Sequence, residues 1–217
     1  MRQSYREISN HMRPVSYLSE INNEIAATIV YLCQNLPLQA NAITFFSFLL
    51  VLAAIPFLFF DHRIIFIVLL ILSYTFDNVD GIWARFKKQT SEFGGFFDPF
   101  LDKAKDYLID LSFILYYLNS LSNYSTDFKL ALTAISLYFI FKGLFYAARD
   151  HNLSKTATAE KRKIKLLRYG GAEKFIIIYP LLSFSFPFFI IYILGYFSLY
   201  FVGIFTNLYK TALSINK

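Results

Sequence analysis

The chain has 217 residues, of which 56% are hydrophobic and 20% aromatic, while only 17% are charged. An ordinary soluble domain carries about 25% charged residues, so the composition excludes a typical soluble globular protein and indicates an integral membrane protein. The formal net charge is +6, and the single Cys33 excludes both an internal disulfide and a zinc site built from cysteine pairs.

The first predicted element is an amphipathic helix over residues 17–36. Apolar residues recur there at three- and four-residue steps with polar residues between them, as a helix lying in the membrane surface requires. These residues are Leu18, Ile21, Ile25, Ile29, Leu32 and Leu36. Pro37 ends the helix. No cleavable signal pattern is present, so these residues are expected in the mature protein.

Apolar windows that are long enough, or nearly long enough, to cross about 30 Å of hydrocarbon follow along the chain. They cover residues 42–60, 64–76, 107–121, 128–148 and 175–209. The last window contains no charged residue and would measure roughly 52 Å as one helix, so we divide it into two spans. The sequence therefore predicts a single all-α integral membrane domain over residues 1–217, with six transmembrane helices after the interfacial helix.

Lysine and arginine residues are distributed unevenly between the predicted loops. Arg63 and Lys129 lie on one side, whereas the N-terminus, residues 85–93, residues 149–174 and the C-terminal tail carry the large majority. Basic loops of membrane proteins face the cytoplasm. We therefore expect a multi-pass protein with both termini on the cytoplasmic side, together with the acidic motif described next.

Residues 77–102 read DNVDGIWARFKKQTSEFGGFFDPFLD and contain four aspartates beside apolar windows. Asp77 and Asp80 are three residues apart, and Asp98 and Asp102 are four apart, so each pair projects from one helical face. An ionised aspartate near the middle of a membrane helix costs roughly 2.5–3.5 kcal/mol, so the quartet needs compensating charge. Oxygen ligands without histidine or thiolate favour Mg²⁺ or Mn²⁺, and a pair of such cations is the natural candidate.

Small residues lie beside each pair of aspartates. Gly81 and Ala84 follow the first pair, and Gly94 and Gly95 precede the second, which leaves room for a ligand between the helices. Arg85 ends the second predicted span and offers a planar, permanently charged group suited to phosphate.

A second interpretation of these carboxylates is structural. Lys103 and Lys105 are close in sequence and could pair with the motif aspartates to seal a helix interface, although we favour metal binding. Asp106 and Asp110 continue the four-residue stripe, but each step moves the side chain about 6 Å along the helix. For these two we predict interhelical pairing, with Lys142 as the partner of the deeper Asp110.

The offsets within 77–102 reproduce the signature of the CDP-alcohol phosphotransferase family, which this chain resembles. The signature residues are Asp77, Asp80, Gly81, Ala84, Arg85, Gly94, Asp98 and Asp102. A chance match at one site is on the order of one in 10¹⁰. The resemblance implies a membrane enzyme that binds CDP-diacylglycerol, or a related CDP-linked lipid, and transfers its phosphatidyl group to an alcohol with release of CMP.

The resemblance also implies roles for individual residues. Asp77, Asp80 and Asp98 would hold two divalent cations at the donor's diphosphate, and Asp102 would be the general base and also touch a metal. Gly81, Ala84, Arg85 and Gly94 would form the nucleotide pocket, with Asn41 and Thr44 approaching the phosphates. The expected partners are the CDP-lipid, a small alcohol, membrane lipids and a second copy of the chain, but no nucleic acid.

The acceptor is predicted from the basic segment 149–174, which suits a phosphorylated polyol. Arg149, Arg168 and Lys174 are the candidate binding residues, and Arg149 and Lys174 resemble positions in family members that use inositol phosphate. Residues 98–103 are similar to the branch that uses glycerol 3-phosphate, so both acceptors stay open. The competing function is a cation-coupled transporter, but the sequence shows no pair of inverted halves.

Overall fold

The computed structural model describes residues 5–14, 16–120 and 174–184 as continuous stretches. It also describes residues 138, 142–143, 188–189, 191–192, 194–195, 198, 202 and 205. Within these residues all regular secondary structure is helical, and none of them forms a β-strand. The predicted spans over 128–148 and after 184 lie mostly outside the described residues, so the count of six spans stays a prediction.

The chain divides into two compact units. The first comprises Met1–Tyr116 with Lys163–Phe184, and the second comprises Tyr117–Arg162 with Ser185–Lys217. In the second unit the described contacts include the Tyr117 ring, which stacks on Phe189 at a centroid distance of 4.8 Å. The candidate site lies in the first unit, which is described below.

The first unit begins with two helices: α1 spans Tyr5–Ser9 and α2 spans Tyr17–Cys33. Ser16 caps α2 in a reciprocal arrangement, because the Ser19 amide donates to Ser16 Oγ at 3.2 Å and the Ser16 amide donates to Ser19 Oγ at 2.8 Å. The helix ends three residues before the predicted boundary. A proline ring disfavours the helical conformation of the residue before it. The chain therefore leaves the helix and makes a turn before Pro37.

The two faces of α2 differ in the size and polarity of their side chains. The exposed side chains include Tyr17, Ile21, Ile25 and Leu32, which are large and apolar. The buried face carries small or polar residues: Ser19, Asn22, Asn23, Ala26, Ala27 and Val30. This face packs on the fourth helix, where the Thr75 hydroxyl donates to Asn22 Oδ1 at 2.8 Å. Location of α2 in the membrane surface stays a prediction.

Two long apolar helices follow: α3 spans Ala40–Phe59 and α4 spans Arg63–Phe86. Both are long and apolar enough to cross a membrane, and they coincide with the first two predicted spans. They pack side by side as a hairpin, and the Ser73 hydroxyl of α4 donates to the Ser47 carbonyl of α3 at 2.7 Å. The connecting turn places Asp61 at φ 59°, a backbone conformation that aspartate tolerates better than most residues.

Helix α5 spans Glu92–Ser120 and begins well before the apolar window at 107–121. Ser91 caps the N-terminus of this helix, because the Gly94 amide donates to Ser91 Oγ at 3.0 Å. A π-helical turn over Lys174–Ile178 leads into the short helix α6, Tyr179–Phe184.

Three hydrogen bonds hold the ends of α3 and α4 together near the start of α5. The Ala40 amide donates to Gln89 Oε1 at 3.0 Å, Trp83 Nε1 donates to the Leu38 carbonyl at 3.1 Å, and Lys87 Nζ donates to a carbonyl of the α2–α3 connection at 2.7 Å. The first turn of α3, the last turns of α4 and the first turns of α5 therefore meet at one end of the helix bundle.

Candidate functional site

Three of the four predicted acidic residues come together at this end of the bundle. One carboxylate oxygen from each of Asp77, Asp98 and Asp102 lies within 4.8 Å of the other two. Asp77 projects from α4, whereas Asp98 and Asp102 project from α5, one helical turn apart. Oxygens at this separation are close enough for one divalent cation to bind them after small side-chain rotations.

The fourth residue, Asp80, lies next to this group but is not part of it. It is only 4% exposed, and Thr44 lies within hydrogen-bond reach of it. Among the described residues, no donor reaches the buried Asp80 Oδ2 or the buried Asp98 Oδ1. Buried carboxylate oxygens are costly unless a donor or a cation compensates them, so these residues fit a metal site.

Lys105 is the cationic side chain that contacts the acidic group most closely. Its ammonium forms ion pairs with Asp77 and with Asp102, the latter at 2.8 Å between Nζ and Oδ1. It also donates to Ser47 Oγ at 3.3 Å, and the residue is 2% exposed. The lysine pairing given above as the second interpretation therefore exists for two of the four aspartates.

A cavity of about 220 Å³ adjoins the aspartates. All six residues predicted to contact the nucleotide line it: Asn41, Thr44, Gly81, Ala84, Arg85 and Gly94. Asp80 and Asp98 line it as well, so the cavity opens directly onto two of the acidic side chains. Residues far apart in sequence thus share one wall, because three helix ends meet there.

Two glycines in this wall stand where neighbouring polar atoms approach closely. A Cβ atom at position 94 would lie 3.1 Å from Asn41 Oδ1 and 3.2 Å from Ser91 Oγ. A Cβ atom at position 81 would lie 3.2 Å from Arg85 Nη1. Glycine at 81 therefore leaves room for the Arg85 guanidinium to pack beside it.

The orientation of Arg85 depends on the N-terminal segment. Its Nε donates to the His11 carbonyl at 2.9 Å, and its charge interacts with those of Asp80 and Asp98. Sequence reasoning missed this contact, since a backbone carbonyl leaves no residue-type signal.

Sequence reasoning also missed three polar residues between the two halves of the motif, Gln89, Thr90 and Ser91. All three line the cavity. A serine directly before an acidic first helical turn is a recognisable N-cap pattern, so Ser91 could have been found. Gln89 reaches the cavity because of the conformation of the loop between α4 and α5, and the sequence does not specify that conformation.

The predicted acceptor residues are only partly described. Arg149 and Arg168 lie outside the described residues. Lys174 is buried, and its Nζ lies 2.8 Å from Asp106 Oδ1. Its role in acceptor binding stays a prediction.

Asp106 and Asp110 make the interhelical contacts predicted for them. Tyr179 Oη lies 3.3 Å from Asp106 Oδ1 and 3.5 Å from Asp110 Oδ1, so its hydroxyl can donate to either carboxylate. Tyr179 is therefore one partner of Asp110. The predicted pairing with Lys142, a residue of the second unit, is not tested.

Comparison with known proteins identifies the family. Residues 37–207 match the family model described as CDP-alcohol phosphatidyltransferase. The chain belongs to this family. No curated protein sequence matches it.

Family membership establishes a transferase of EC 2.7.8 type, which acts in transfer of a phospholipid head group from a CDP-alcohol. The CDP-alcohol phosphatidyltransferase family is membrane-associated and depends on divalent cations. The matched range contains the whole 77–102 signature and the described helices from α3 to α6. Membership in this transferase family does not favour the competing function, a cation-coupled transporter.

Proposed function

We propose that the protein transfers the phosphatidyl group of a CDP-linked lipid such as CDP-diacylglycerol to an alcohol acceptor and releases CMP, as a step of phospholipid biosynthesis. The observation that carries the proposal is that the six residues predicted to contact the nucleotide all line one cavity, together with Asp80 and Asp98. A diphosphate beside four carboxylates would be strongly repelled without cations between them. The cavity and its acidic wall thus fit a nucleotide diphosphate only when divalent cations are bound.

Asp77, Asp80, Asp98 and Asp102 are the residues that would hold two cations, Mg²⁺ or Mn²⁺. The buried oxygens Asp80 Oδ2 and Asp98 Oδ1, for which the described residues provide no donor, support this assignment. Bound divalent cations would polarise the phosphoryl oxygens and neutralise the negative charge that develops in the transition state.

Arg85 and Asp102 have separate roles in the proposed reaction. The Arg85 guanidinium binds donor phosphate oxygens at the cavity wall. Asp102 accepts the proton of the acceptor hydroxyl as its oxygen bonds to the lipid phosphate phosphorus, while the bond from that phosphorus to the CMP oxygen breaks. The Asp102 side chain is 48% exposed, which suits a base that must meet a second substrate.

For the acceptor we propose a phosphorylated polyol, either inositol phosphate or glycerol 3-phosphate, bound by Arg149, Arg168 and Lys174. The ion pair between Lys174 and Asp106 supports this location, because Asp106 lies one helical turn from Asp102 on α5. An acceptor phosphate at Lys174 would share the ammonium with Asp106.

The proposed setting is a membrane domain with six spans, the interfacial helix 17–36, both termini and the active site on the cytoplasmic side, and a homodimeric assembly. Helices α3 and α4 support the first two spans. The exposed apolar side chains of α2 fit a helix in contact with lipid.

The test is release of CMP from CDP-diacylglycerol by the detergent-purified protein with Mn²⁺. Inositol phosphate, glycerol 3-phosphate and serine are offered separately, and the lipid product identifies the acceptor. Asp102→Asn should lower the rate by about 10²–10⁴-fold, the usual contribution of a general base. Asp61→Asn, the same change at an exposed aspartate on the other end of the bundle, is the matched control. Turnover that is equal in the Asp102→Asn variant would refute the assigned base.

A further inference from the structure

Lys105 contacts all three helices that build the site. Its ammonium reaches Ser47 on α3, Asp77 on α4 and Asp102 on its own helix α5. The side chain is almost completely buried, at 2% exposure. A buried lysine carries a large desolvation cost, so it is retained in such a position only where carboxylates compensate it.

The same two carboxylates are also proposed metal ligands. Asp77 and Asp102 belong to the group of three oxygens that lie within 4.8 Å of one another. An ammonium and a divalent cation cannot both bind the same oxygens without strong repulsion, because at about 4 Å like charges in a protein still interact by several kcal/mol. Metal binding to this group therefore requires the Lys105 ammonium to leave at least one of its carboxylates.

We propose that Lys105 is an exchangeable counter-ion of the site: its ammonium neutralises Asp77 and Asp102 until a divalent cation displaces it. This inference rests on the proposed function, since it takes the aspartates to be metal ligands. Two consequences follow. Lys105 stabilises the fold in the absence of divalent cations, and it competes with them, which lowers their affinity and speeds their release.

The contact with Ser47 gives the displaced ammonium an alternative partner. Ser47 Oγ lies 3.3 Å from Lys105 Nζ and donates its own proton to the Thr44 carbonyl at 2.8 Å, so its lone pairs can accept from the ammonium. The lysine can therefore lose its carboxylate partners and still keep one hydrogen bond within the bundle.

The experiment measures Mn²⁺ binding to the full chain in detergent by electron paramagnetic resonance, and thermal unfolding with EDTA or with saturating Mn²⁺. Lys105→Met should bind Mn²⁺ roughly tenfold more tightly than wild type, because the competing charge is gone. In EDTA it should unfold at a lower temperature, because Asp77 and Asp102 have lost their counter-ion. Saturating Mn²⁺ should close that gap.

Lys103→Met is the matched control. Residue 103 lies two positions from Lys105 on α5, about 200° around the helix, so the same charge is removed from another face. Its Mn²⁺ affinity should stay within about twofold of wild type, because among the described residues Lys105 is the lysine that pairs with Asp77 and Asp102. Lys105→Gln is a second variant that keeps a hydrogen-bond donor for the carboxylates, and it should also bind Mn²⁺ more tightly.

A purely structural lysine predicts other results. Unchanged or weaker Mn²⁺ binding by both Lys105 variants, or destabilisation that persists in Mn²⁺, would overturn the proposal. Variants that fold only when Mn²⁺ is present would support it, whereas variants that fail to fold even with Mn²⁺ would refute it.

The proposed function can fail separately. If wild type and Asp98→Asn bind Mn²⁺ equally weakly, the aspartates are not metal ligands and both ideas fail. If Asp98→Asn alone loses Mn²⁺ while the Lys105 variants match wild type, only the counter-ion role is wrong.

Discussion

The two ends of the α3–α4–α5 bundle carry contrasting polar clusters. At one end, which we call the Asp61 cluster, Asp61 Oδ1 accepts from Tyr116 Oη at 2.6 Å and from Arg63 Nη2 at 3.0 Å, and its side chain is 67% exposed. At the other end, the Asp98 cluster comprises four carboxylates: Asp77, Asp80, Asp98 and Asp102.

The described part of the chain contributes Lys105 and Arg85 as the cations that interact with the Asp98 cluster. Two of its buried oxygens have no donor among the described residues. The Asp61 cluster is thus an exposed contact with its own charge partner, whereas the Asp98 cluster is acidic in excess and partly buried. Folding alone does not favour such an excess, so the difference marks the Asp98 cluster as functional.

The substitution Asp98→Asn is the strongest test of the difference between the Asp98 cluster and the Asp61 cluster. Asp98 belongs to the oxygen triad and also lines the cavity. The amide keeps the shape but loses the charge, so Mn²⁺ affinity and the rate of CMP release should both fall by at least about 100-fold, as loss of a direct ligand exceeds loss of an outer partner. Electron paramagnetic resonance and the CMP assay measure the two quantities. Asp61→Asn should change neither, and an Asp98→Asn variant with wild-type Mn²⁺ binding would abolish the distinction between the ends.

A smaller effect is expected at the cavity wall. Gly94→Ala adds a methyl group that must displace Asn41 Oδ1 or Ser91 Oγ, since both would lie within 3.2 Å of it. We expect the KM for the CDP-lipid to rise about tenfold, which corresponds to the low end of typical overpacking costs. Steady-state kinetics measure it.

Gly95→Ala is the matched substitution at the next position. Its Cβ would meet no described atom within 4 Å, so its KM should rise much less, although Gly95 also borders the cavity. Equal changes in KM for the two variants would show that the close contact at position 94 does not matter.

The smallest effect concerns stability at the Asp61 cluster. Hydrogen bonds from Tyr116 and then from Arg63 lower the pKa of Asp61 below its ordinary value of 3.8. A lowered pKa gives stabilisation that is present above the ordinary value and is lost as the pH falls through the folded-state pKa. Asp61→Asn, which tolerates the positive φ, should lower the unfolding temperature slightly near neutral pH.

The difference between Asp61→Asn and wild type should shrink as the pH falls below 3.8 and disappear below the lowered pKa of Asp61 in the folded state. Thermal unfolding at a series of pH values measures it. A difference that is independent of pH would mean that the charge of Asp61 does not contribute.

Much of this arrangement follows from the sequence alone. The windows 42–60 and 64–76 predict α3 and α4 because continuous apolar composition is a strong signal, and the motif offsets select residues that share one cavity. The start of α5 is hidden from hydropathy, since charged residues interrupt its first half. Three of those charged residues, Asp98, Asp102 and Lys105, lie at the candidate site.

The sequence could not show which lysine pairs with the motif aspartates. Both Lys103 and Lys105 are near the aspartates in the chain, and the choice of Lys105 depends on the rotation of α5 against α3 and α4. The contact between His11 and Arg85 is equally inaccessible, because it joins a backbone carbonyl to a side chain 74 positions away.

The hydrogen bond from Arg85 Nε to the His11 carbonyl fixes the plane of the guanidinium. Its Nη1 and Nη2 atoms lie over Gly81, at the cavity wall. If Arg85 binds a phosphate as proposed, a guanidinium held in this way has little rotational freedom left to lose on association. Lysine at position 85 would keep the charge but swing freely, which makes this substitution far from conservative.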